Sequence, residues 1–218
     1  MVIMAKRIIL AAAAALLSLA SQAQSLEKMQ WFNEPEGYSI KGNTLTMDVP
    51  AQCDYWRISH YGFTVDDGPF YYTTVGGEFE TKVKISGDYK VRFDQAGLMI
   101  RIDHENWLKA GIEYVDGKYN LSAVVTHHTS DWSVIELAEP VDFVWIKAVR
   151  RLDAIEIFYS FDDKTYTLMR NCWMQDNIPV MVGPVAACPD GNGFKAKFEN
   201  FSVKHLPDAR RLEWLKNN

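Results

Sequence analysis

Shortages in the composition exclude several classes of protein. The 218 residues include three cysteines and five histidines. The chain has no Cys-x-x-Cys pair, so neither a disulfide-rich scaffold nor a zinc ribbon is expected. His127 and His128 are adjacent and would point to opposite faces of a strand, where they cannot hold one ion together. The sequence therefore predicts no metal site and no cofactor.

The small number of cysteines also limits the possible disulfides. Cys53, Cys172 and Cys188 permit one bond at most, with one thiol left over. We expect either three buried thiols or a single bond between Cys172 and Cys188.

Basic residues are outnumbered by acidic ones. The chain carries 23 Lys and Arg against 28 Asp and Glu, which gives a formal net charge of −5. A nucleic-acid-binding protein presents a basic surface to its ligand, and anionic membrane surfaces attract basic segments. We therefore expect neither nucleic acid nor a membrane surface as a partner.

No apolar run is long enough to cross a membrane, but the first 23 residues resemble a signal peptide. Lys6 and Arg7 precede an apolar run from Ile8 to Leu17, and Ser21-Gln22-Ala23 has the small residues of a cleavage site. The run is shorter than the ~20 residues of a membrane span. The pattern predicts cleavage after residue 23 and an exported protein, periplasmic or extracellular, with no membrane insertion afterwards. The alternative is an uncleaved anchor.

The chain is rich in short segments that alternate apolar and polar residues between Gly, Asp, Asn and Pro. About fourteen such segments read as strands, which is more than one open sheet usually holds. The pattern predicts an all-β sandwich of two antiparallel sheets. We expect one domain over residues 24–206, followed by a short helix or tail over residues 207–218.

The stretch from Tyr89 to Thr129 reads as four successive strands with charges at alternate positions. Side chains alternate across a strand, so Arg101 lies on the face opposite its apolar neighbours. Lys109 and Glu113 likewise share one face of the following strand. One face is then a core, and the other carries charges of both signs, which indicates a polar binding surface.

An ordered series of motifs resembles a known family. The motifs are Trp31-Phe32-Asn33-Glu34-Pro35, Asp54-Tyr55-Trp56-Arg57, the block from Asp94 to Arg101, the block from Trp107 to Glu113, Ser130-Asp131-Trp132-Ser133 and Val182-Gly183-Pro184. From about Trp31 to Val203 the chain resembles domain-of-unknown-function family 1349, the regulation of enolase protein 1-like family. The resemblance implies a concanavalin A-like jelly-roll sandwich, with one sheet bent into a concave cleft, and implies no established reaction. A named member is intracellular, whereas the leader of this chain indicates export.

Aromatic residues are abundant and suggest a sugar-binding face. The chain has seven Trp, ten Tyr and eleven Phe, and flat aromatic rings stack on the C–H faces of sugars. Several of them lie near turns or strand ends, where cleft rims form, although each one alone is more often part of a core. Arginine beside an aromatic residue adds a planar donor fork. The candidate ligand-binding residues are Trp56, Arg57, Gln95, Arg101, Trp107, Lys109 and Trp132.

Two carboxylates are candidate catalytic groups. Glu113 would act as a general base if its neighbours desolvate it. Asp103 and Glu105 are two residues apart, a spacing that suits paired glycosidase carboxylates. The same segment also reads as a hairpin turn, because Asp and Asn are ordinary turn residues.

His127 is the third catalytic candidate, and a second resemblance suggests it. The segment from Trp107 to Ile112 is similar to a strand of family 7 polysaccharide lyases. That resemblance implies that Gln95, Arg101 and Lys109 neutralise a uronate while His127 or Tyr114 abstracts a proton. The chain lacks the other motif strings of those enzymes.

Three functions remain open at this point. The favoured one is recognition of an oligo- or polysaccharide by an exported protein through an aromatic- and charge-lined face. The second is glycan cleavage by a hydrolase or lyase in the same cleft, and the third is a protein-interaction module. The sequence does not decide whether the protein is an enzyme.

Overall fold

The computed structural model of the protein describes residues 26–217, so the leader predicted over residues 1–23 lies outside the described residues. A 3-10 turn at Leu26–Lys28 comes first and a helix, α1 (Ala209–Asn217), comes last. No helix in the described part of the chain is long and apolar enough to cross a membrane.

Strands dominate the described chain. In chain order they are β1 (Gln30–Phe32), β2 (Tyr38–Lys41), β3 (Thr44–Val49), β4 (Tyr55–Arg57), β5 (Thr64–Asp66), β6 (Phe70–Val75), β7 (Phe79–Gly87), β8 (Gln95–Arg101), β9 (Asn106–Val115), β10 (Lys118–His127), β11 (Thr129–Glu136), β12 (Val144–Arg151), β13 (Ala154–Ser160), β14 (Thr167–Trp173), β15 (Val180–Ala187) and β16 (Phe194–His205).

Two seven-stranded sheets form the body of the fold. The front sheet has the order β1-β6-β15-β8-β9-β10-β11, and the back sheet has the order β14-β13-β12-β7-β16-β3-β2. All neighbouring strands in both sheets run antiparallel. The predicted all-β, concanavalin A-like sandwich is confirmed.

The main core lies between the two sheets, where the alternating pattern places it. Leu98 and Leu108 of the front sheet belong to the same buried cluster as Val83, Ile146 and Phe198 of the back sheet. The charged residues of β8 and β9 therefore lie on the outer face of the front sheet, the face that points away from the back sheet.

A third, two-stranded element covers part of that outer face. The β4–β5 hairpin contributes Tyr55 and Trp56 to a second buried cluster, together with Met99, Trp107 and Val124 of the front sheet. Antiparallel sheets often leave one face to water. Here the hairpin buries one end of that face and leaves the other end open.

The segment from Lys90 to Phe93 is a turn, although its sequence predicts a strand. The carboxylate of Asp94 accepts hydrogen bonds from the backbone N–H of Lys90 at 2.8 Å and of Val91 at 2.9 Å. Phe93 has a φ of +68°, which an extended strand does not permit. The stretch from Tyr89 to Thr129 therefore holds three long strands rather than four.

Of the two alternatives for the cysteines, the structure does not show the Cys172–Cys188 bond. Cys172 lies on β14 at an edge of the back sheet, whereas Cys188 directly follows β15 of the front sheet. Cys188 instead forms an isolated antiparallel bridge with Cys53, and its N–H donates to the Cys53 carbonyl at 3.0 Å. All three side chains are free thiols, in agreement with the other alternative.

Candidate functional site

The β4–β5 hairpin is fixed to the front sheet at both of its sides. The backbone N–H of Arg57 donates to Ser130 Oγ at 2.9 Å, and its guanidinium contacts Glu105 at 2.7 Å. From the other side, Arg101 forms a two-pronged ion pair with Asp66, with both N–O distances 2.6 Å. Bidentate pairs of this kind fix geometry as well as adding energy. The hairpin thus lies across the sheet from β11 to β8.

These contacts correct two of the predicted ligand-binding residues. Arg57 and Arg101 are both buried, and the guanidinium of each forms an ion pair that fixes the hairpin to the front sheet. The Arg101 guanidinium also lies 4.5 Å from the centroid of the Phe32 ring. Neither side chain reaches the open part of the outer face, because the hairpin covers it.

Trp107 is also not available to a ligand. It is 1% exposed and packs edge-on against Tyr55 with ring centroids 5.9 Å apart. Its place in the second buried cluster is the core position that any single aromatic residue is expected to prefer.

The uncovered end of the outer face forms a cleft, which we call the aromatic cleft. Its cavity volume is about 200 Å³, somewhat below the ~300–1,000 Å³ typical of ligand pockets. The residues that line it are Asp54, Trp56, Tyr61, Phe63, Phe93, Gln95, Lys109, Glu113, Val124, Trp132, Pro189 and Asp190. Five of the ten predicted site residues are among them: Trp56, Gln95, Lys109, Glu113 and Trp132.

The floor of the aromatic cleft is a linked row of polar groups. Lys109 and Glu113 project from the same face of β9, and both are buried. Lys109 Nζ lies 3.3 Å from Asp54 Oδ1, and the amide of Gln95 donates to the same oxygen at 3.5 Å. The indole N–H of Trp132 donates to Glu113 Oε2 at 2.9 Å. The floor therefore offers both donors and acceptors at fixed positions.

Glu113 is the most perturbed acid in the cleft. Burial raises the pKa of Glu113, and this effect exceeds the opposing influence of the Lys109 charge and of hydrogen bonds from Ser122 and Trp132. The side chain is 5% exposed. A carboxyl group in this environment holds its proton to a higher pH than an ordinary glutamate does.

Glycines leave space above the floor. Gly97 of β8 and Gly111 of β9 pair directly across the sheet. A Cβ on Gly111 would lie 2.0 Å from the carbonyl oxygen of Ala96, so only glycine allows the two backbones to approach this closely. Both glycines line a narrow recess that shares Gln95, Lys109 and Glu113 with the lining of the aromatic cleft.

One wall of the cleft is the strained loop between β4 and β5. Ile58 has a φ of +64° and His60 a φ of +63°, and a positive φ is a true outlier for a β-branched residue. Trp56 Nε1 donates to the Ser59 carbonyl at 2.9 Å and holds the loop down. The loop presents Tyr61 and Phe63 with their rings stacked 5.7 Å apart, each 47% exposed.

The other wall comes from Phe93 and Trp132. Their ring centroids are 6.2 Å apart and their planes are nearly perpendicular. Trp132 pairs with Val124 in the sheet, but its indole extends toward Ser122 and Glu113, away from the end that the hairpin covers. The two aromatic pairs therefore lie on different sides of the polar floor.

Asp103, predicted as catalytic, is a turn residue outside the cleft. Its carboxylate accepts hydrogen bonds from the backbone N–H of Glu105 at 2.8 Å and of Asn106 at 2.9 Å. Burial alone would raise the pKa of Asp103, but these hydrogen bonds and one from the Asn106 side chain lower it. The side chain is held as a charged turn acceptor, as the turn interpretation predicts, and does not lie beside Glu113.

His127, also predicted as catalytic, lies at the edge of the sandwich outside the cleft. Its Nε2 is 2.9 Å from the carbonyl oxygen of Trp173, which belongs to the back sheet. Its position does not support the lyase arrangement, in which it would act beside Arg101 and Lys109.

Sequence reasoning missed Asp54, Phe63 and Phe93 as cleft residues. Asp54 and the Tyr61-Gly62-Phe63 turn lie in irregular segments, and Phe93 falls in the segment that reads as a strand. The signal available for Asp54 was its place in the Asp54-Tyr55-Trp56-Arg57 motif. Among the residues that the structure describes, no group of three or more His, Cys, Asp or Glu is placed to hold a metal ion.

Comparison with known proteins gives relatives over most of the chain. "Regulation of enolase protein 1" of Saccharomyces cerevisiae is 34% identical over 183 residues, which are 84% of this chain and 92% of that protein. A crystal structure of a functionally unknown protein from the same yeast is also 34% identical. It superposes with a TM-score of 0.81 over 84% of this chain and 100% of its own.

More distant structures share the sandwich alone. The GH43 protein BlXynB of Bacillus licheniformis, as its K247S mutant, is 16% identical with a TM-score of 0.66, and this chain covers 85% of its own length but 38% of that longer protein. A legume lectin-like domain from Entamoeba histolytica is 9% identical with a TM-score of 0.53, over 83% of this chain and 91% of that domain. At these identities the likeness shows the fold and carries over no site.

The yeast relative corrects the predicted localisation. It aligns over 92% of its length and is an intracellular yeast protein. The prediction that this chain is a periplasmic or extracellular protein is therefore wrong.

The family profile described as "Protein of unknown function (DUF1349)" matches residues 31–206, close to the limits over which the motifs suggest it. Together with the yeast relative at 34% identity, this match shows that the chain belongs to the DUF1349 family.

Proposed function

We propose that the protein binds a carbohydrate in the aromatic cleft. One observation carries this proposal: two aromatic pairs that line the cleft, Tyr61–Phe63 and Phe93–Trp132, flank a floor of polar side chains that both donate and accept hydrogen bonds.

The chemistry of the cleft matches that of a sugar ring. A pyranose has apolar C–H faces and a rim of hydroxyl groups, each of which both donates and accepts. The aromatic walls offer flat surfaces for the C–H faces. On the floor, Lys109 donates, the carboxylate of Asp54 accepts, and the amide of Gln95 does both.

The setting of these residues also favours binding over a purely structural role. Lys109 and Glu113 of the floor are buried yet line an open cleft, and strained backbone at Ile58 and Phe93 presents the aromatic residues. Strain of this kind clusters at functional sites. The fold itself is shared with glycosidase and lectin-like structures, which is an analogy and supplies no residue.

Glycan cleavage is a second candidate, favoured by one specific observation. Asp54 and Glu113 line the same cleft with Lys109 beside them. Burial raises the pKa of Glu113 above that of an ordinary glutamate. Two carboxyl groups in different environments are what acid–base catalysis of glycoside hydrolysis uses. Asp54 thereby takes the place of Asp103, which lies outside the cleft.

A glycan panel tests the proposal. The full chain would be titrated against neutral, amino and acidic mono- and oligosaccharides, with reducing ends monitored in parallel. Saturable binding of at least one sugar is expected, weakened roughly tenfold, or about 1.4 kcal/mol, by Tyr61→Ala and Trp132→Ala. Leu168→Ala, an exposed residue on the back sheet, is the matched control. No binding at millimolar concentration, or equal binding by all four proteins, would contradict the proposal. New reducing ends lost in Glu113→Gln would add the catalytic function.

A further inference from the structure

Resting on that proposed function, we propose that the aromatic cleft receives the end of a saccharide that carries no negative charge. The cleft is a blind pocket and not a groove that a polysaccharide can run through. This assigns the ligand class by shape and by charge.

The hairpin closes one end of the outer face. A polysaccharide lying along β9 from Glu113 would pass Lys109 and then meet Tyr55 of the hairpin, which packs on Trp107. Trp107 is fully buried beneath it. The outer face is therefore filled with side chains at that end, and an extended glycan has no path there.

The closed end is fixed and does not behave as a movable lid. The hairpin is held at Ser130 on one side and through the bidentate Arg101–Asp66 pair on the other. In addition, the guanidinium of Arg57 contacts Glu105 at 2.7 Å. Opening this end would break several buried polar contacts at once, and each donor or acceptor left unpaired is costly.

The remaining sides are also bounded. Phe93 and Trp132 form a wall at the Glu113 end, and Pro189 and Asp190 from the loop after β15 form a third side. What is left open is the mouth toward solvent. A ligand therefore enters end first, and the sugar units behind it extend into water.

The charge of the cleft selects against anions. Among the residues that line it, Lys109 is the one cation, whereas Asp54, Glu113 and Asp190 are acidic. Lys109 is already engaged with Asp54 at 3.3 Å. The two arginines of the outer face, at positions 57 and 101, are committed to Glu105 and Asp66 beneath the hairpin. Among the lining residues, a uronate or sugar phosphate would therefore face more acidic groups than cations.

End recognition is tested by changing the number of chain ends at constant mass. Soluble neutral glucan, xylan and mannan would be compared intact and after limited random cleavage that raises the number of ends about tenfold. Saturation binding of the full chain should rise with the number of ends, also about tenfold. Binding that follows polymer mass and ignores the number of ends would overturn the inference while leaving the proposed function intact.

Charge selection is tested with matched sugars. Glucose and xylose would be compared with glucuronate, which differs from glucose by its carboxylate. Glucuronate should bind at least tenfold more weakly than the better neutral sugar. Asp190→Asn, on an exposed loop position, should reduce this difference in affinity. Equal or tighter binding of glucuronate would overturn the inference. If none of these mono- and polysaccharides binds, the proposed function itself fails and the inference fails with it.

Discussion

The indole Nε1 of Trp132 lies 2.9 Å from Glu113 Oε2 and 3.1 Å from Ser122 Oγ. This contact joins an aromatic wall of the cleft to its polar floor. The same side chain presents a flat ring to the cleft and stabilises the carboxylate form of a buried acid. A change at Trp132 is therefore expected to alter both ligand binding and the protonation of Glu113.

Trp132→Phe separates these two roles. It keeps an aromatic ring but removes the N–H, so the Glu113 carboxylate loses one donor and its pKa should rise further. We expect a cost of about 1.5–3 kcal/mol in the free energy of unfolding near neutral pH, the usual range for a hydrogen bond to a charged group. Carbon NMR titration of the glutamate carboxyls checks the pKa. An unchanged Glu113 titration would show that the contact does not exist in solution.

Glu113→Gln tests the burial of the acid through the pH dependence of stability. Because the folded-state pKa of Glu113 lies above its ordinary value of 4.5, the native protein keeps a proton that the unfolded chain releases. The linked stability is fully present below the unfolded pKa and is lost as pH rises through the folded one.

The variant should therefore be more stable than the wild type above that window, while the difference shrinks toward acid pH. The glutamine amide oxygen still accepts from Trp132, so the contact is kept. Chemical denaturation at a series of pH values measures the effect. A variant less stable than the wild type at pH 8 would refute the assignment of Glu113 as a desolvated acid.

Ile58→Gly tests the strain in the loop that carries Tyr61 and Phe63. Ile58 has a φ of +64° and an exposed side chain, so glycine relieves the strain at little cost in buried area. We expect a gain of about 1 kcal/mol in unfolding free energy. Val91→Gly, another exposed β-branched residue without a positive φ, should lose stability in the same thermal melts. Equal destabilisation of both variants would argue against strain at Ile58.

Gly111→Ala tests the close approach of β8 and β9 beneath the cleft. Its Cβ would meet the Ala96 carbonyl oxygen at 2.0 Å, and backbone atoms cannot give way locally. A loss of about 3 kcal/mol or more is expected. Gly76→Ala, where a Cβ meets nothing within 4 Å, should change stability by less than about 0.5 kcal/mol. Urea midpoints compare the two, and similar midpoints would mean that the strands separate easily.

Asp103→Ala tests the turn role against the catalytic one. Removing the acceptor for Glu105 and Asn106 should cost about 1 kcal/mol near neutral pH. Since its pKa is lowered in the folded protein, this stability is present above the unfolded pKa and is lost as pH falls through the folded pKa. Saccharide binding and any cleavage should be unaffected. A loss of saccharide binding or of cleavage, with the fold intact by circular dichroism, would show that Asp103 takes part in the site.

The sequence was sufficient to predict the fold and the faces of the strands. In β9, alternation alone places Leu108 and Ile112 in the core and Lys109 and Glu113 on the outer face, because a strand has a period of two. The structure confirms this arrangement.

The sequence could not show which part of the outer face stays open. Arg101 and Lys109 occupy equivalent alternating positions, yet Arg101 lies under the hairpin and Lys109 in the cleft. The difference depends on Asp66, 35 residues before Arg101, and such long-range pairing leaves no local pattern. The same limit explains why Trp107 was placed in the site and Asp54 was not.

The most direct test of the account is a nitrogen–proton NMR titration of the tryptophan indole groups of the full chain with neutral gluco- and xylo-oligosaccharides. Trp56 and Trp132 line the cleft, whereas Trp107 lies under the hairpin. The account predicts saturable shifts of the Trp56 and Trp132 indole signals, with the Trp107 signal nearly unchanged. Absence of any shift at millimolar sugar, or shifts confined to tryptophans outside the cleft, would contradict a saccharide site at this position.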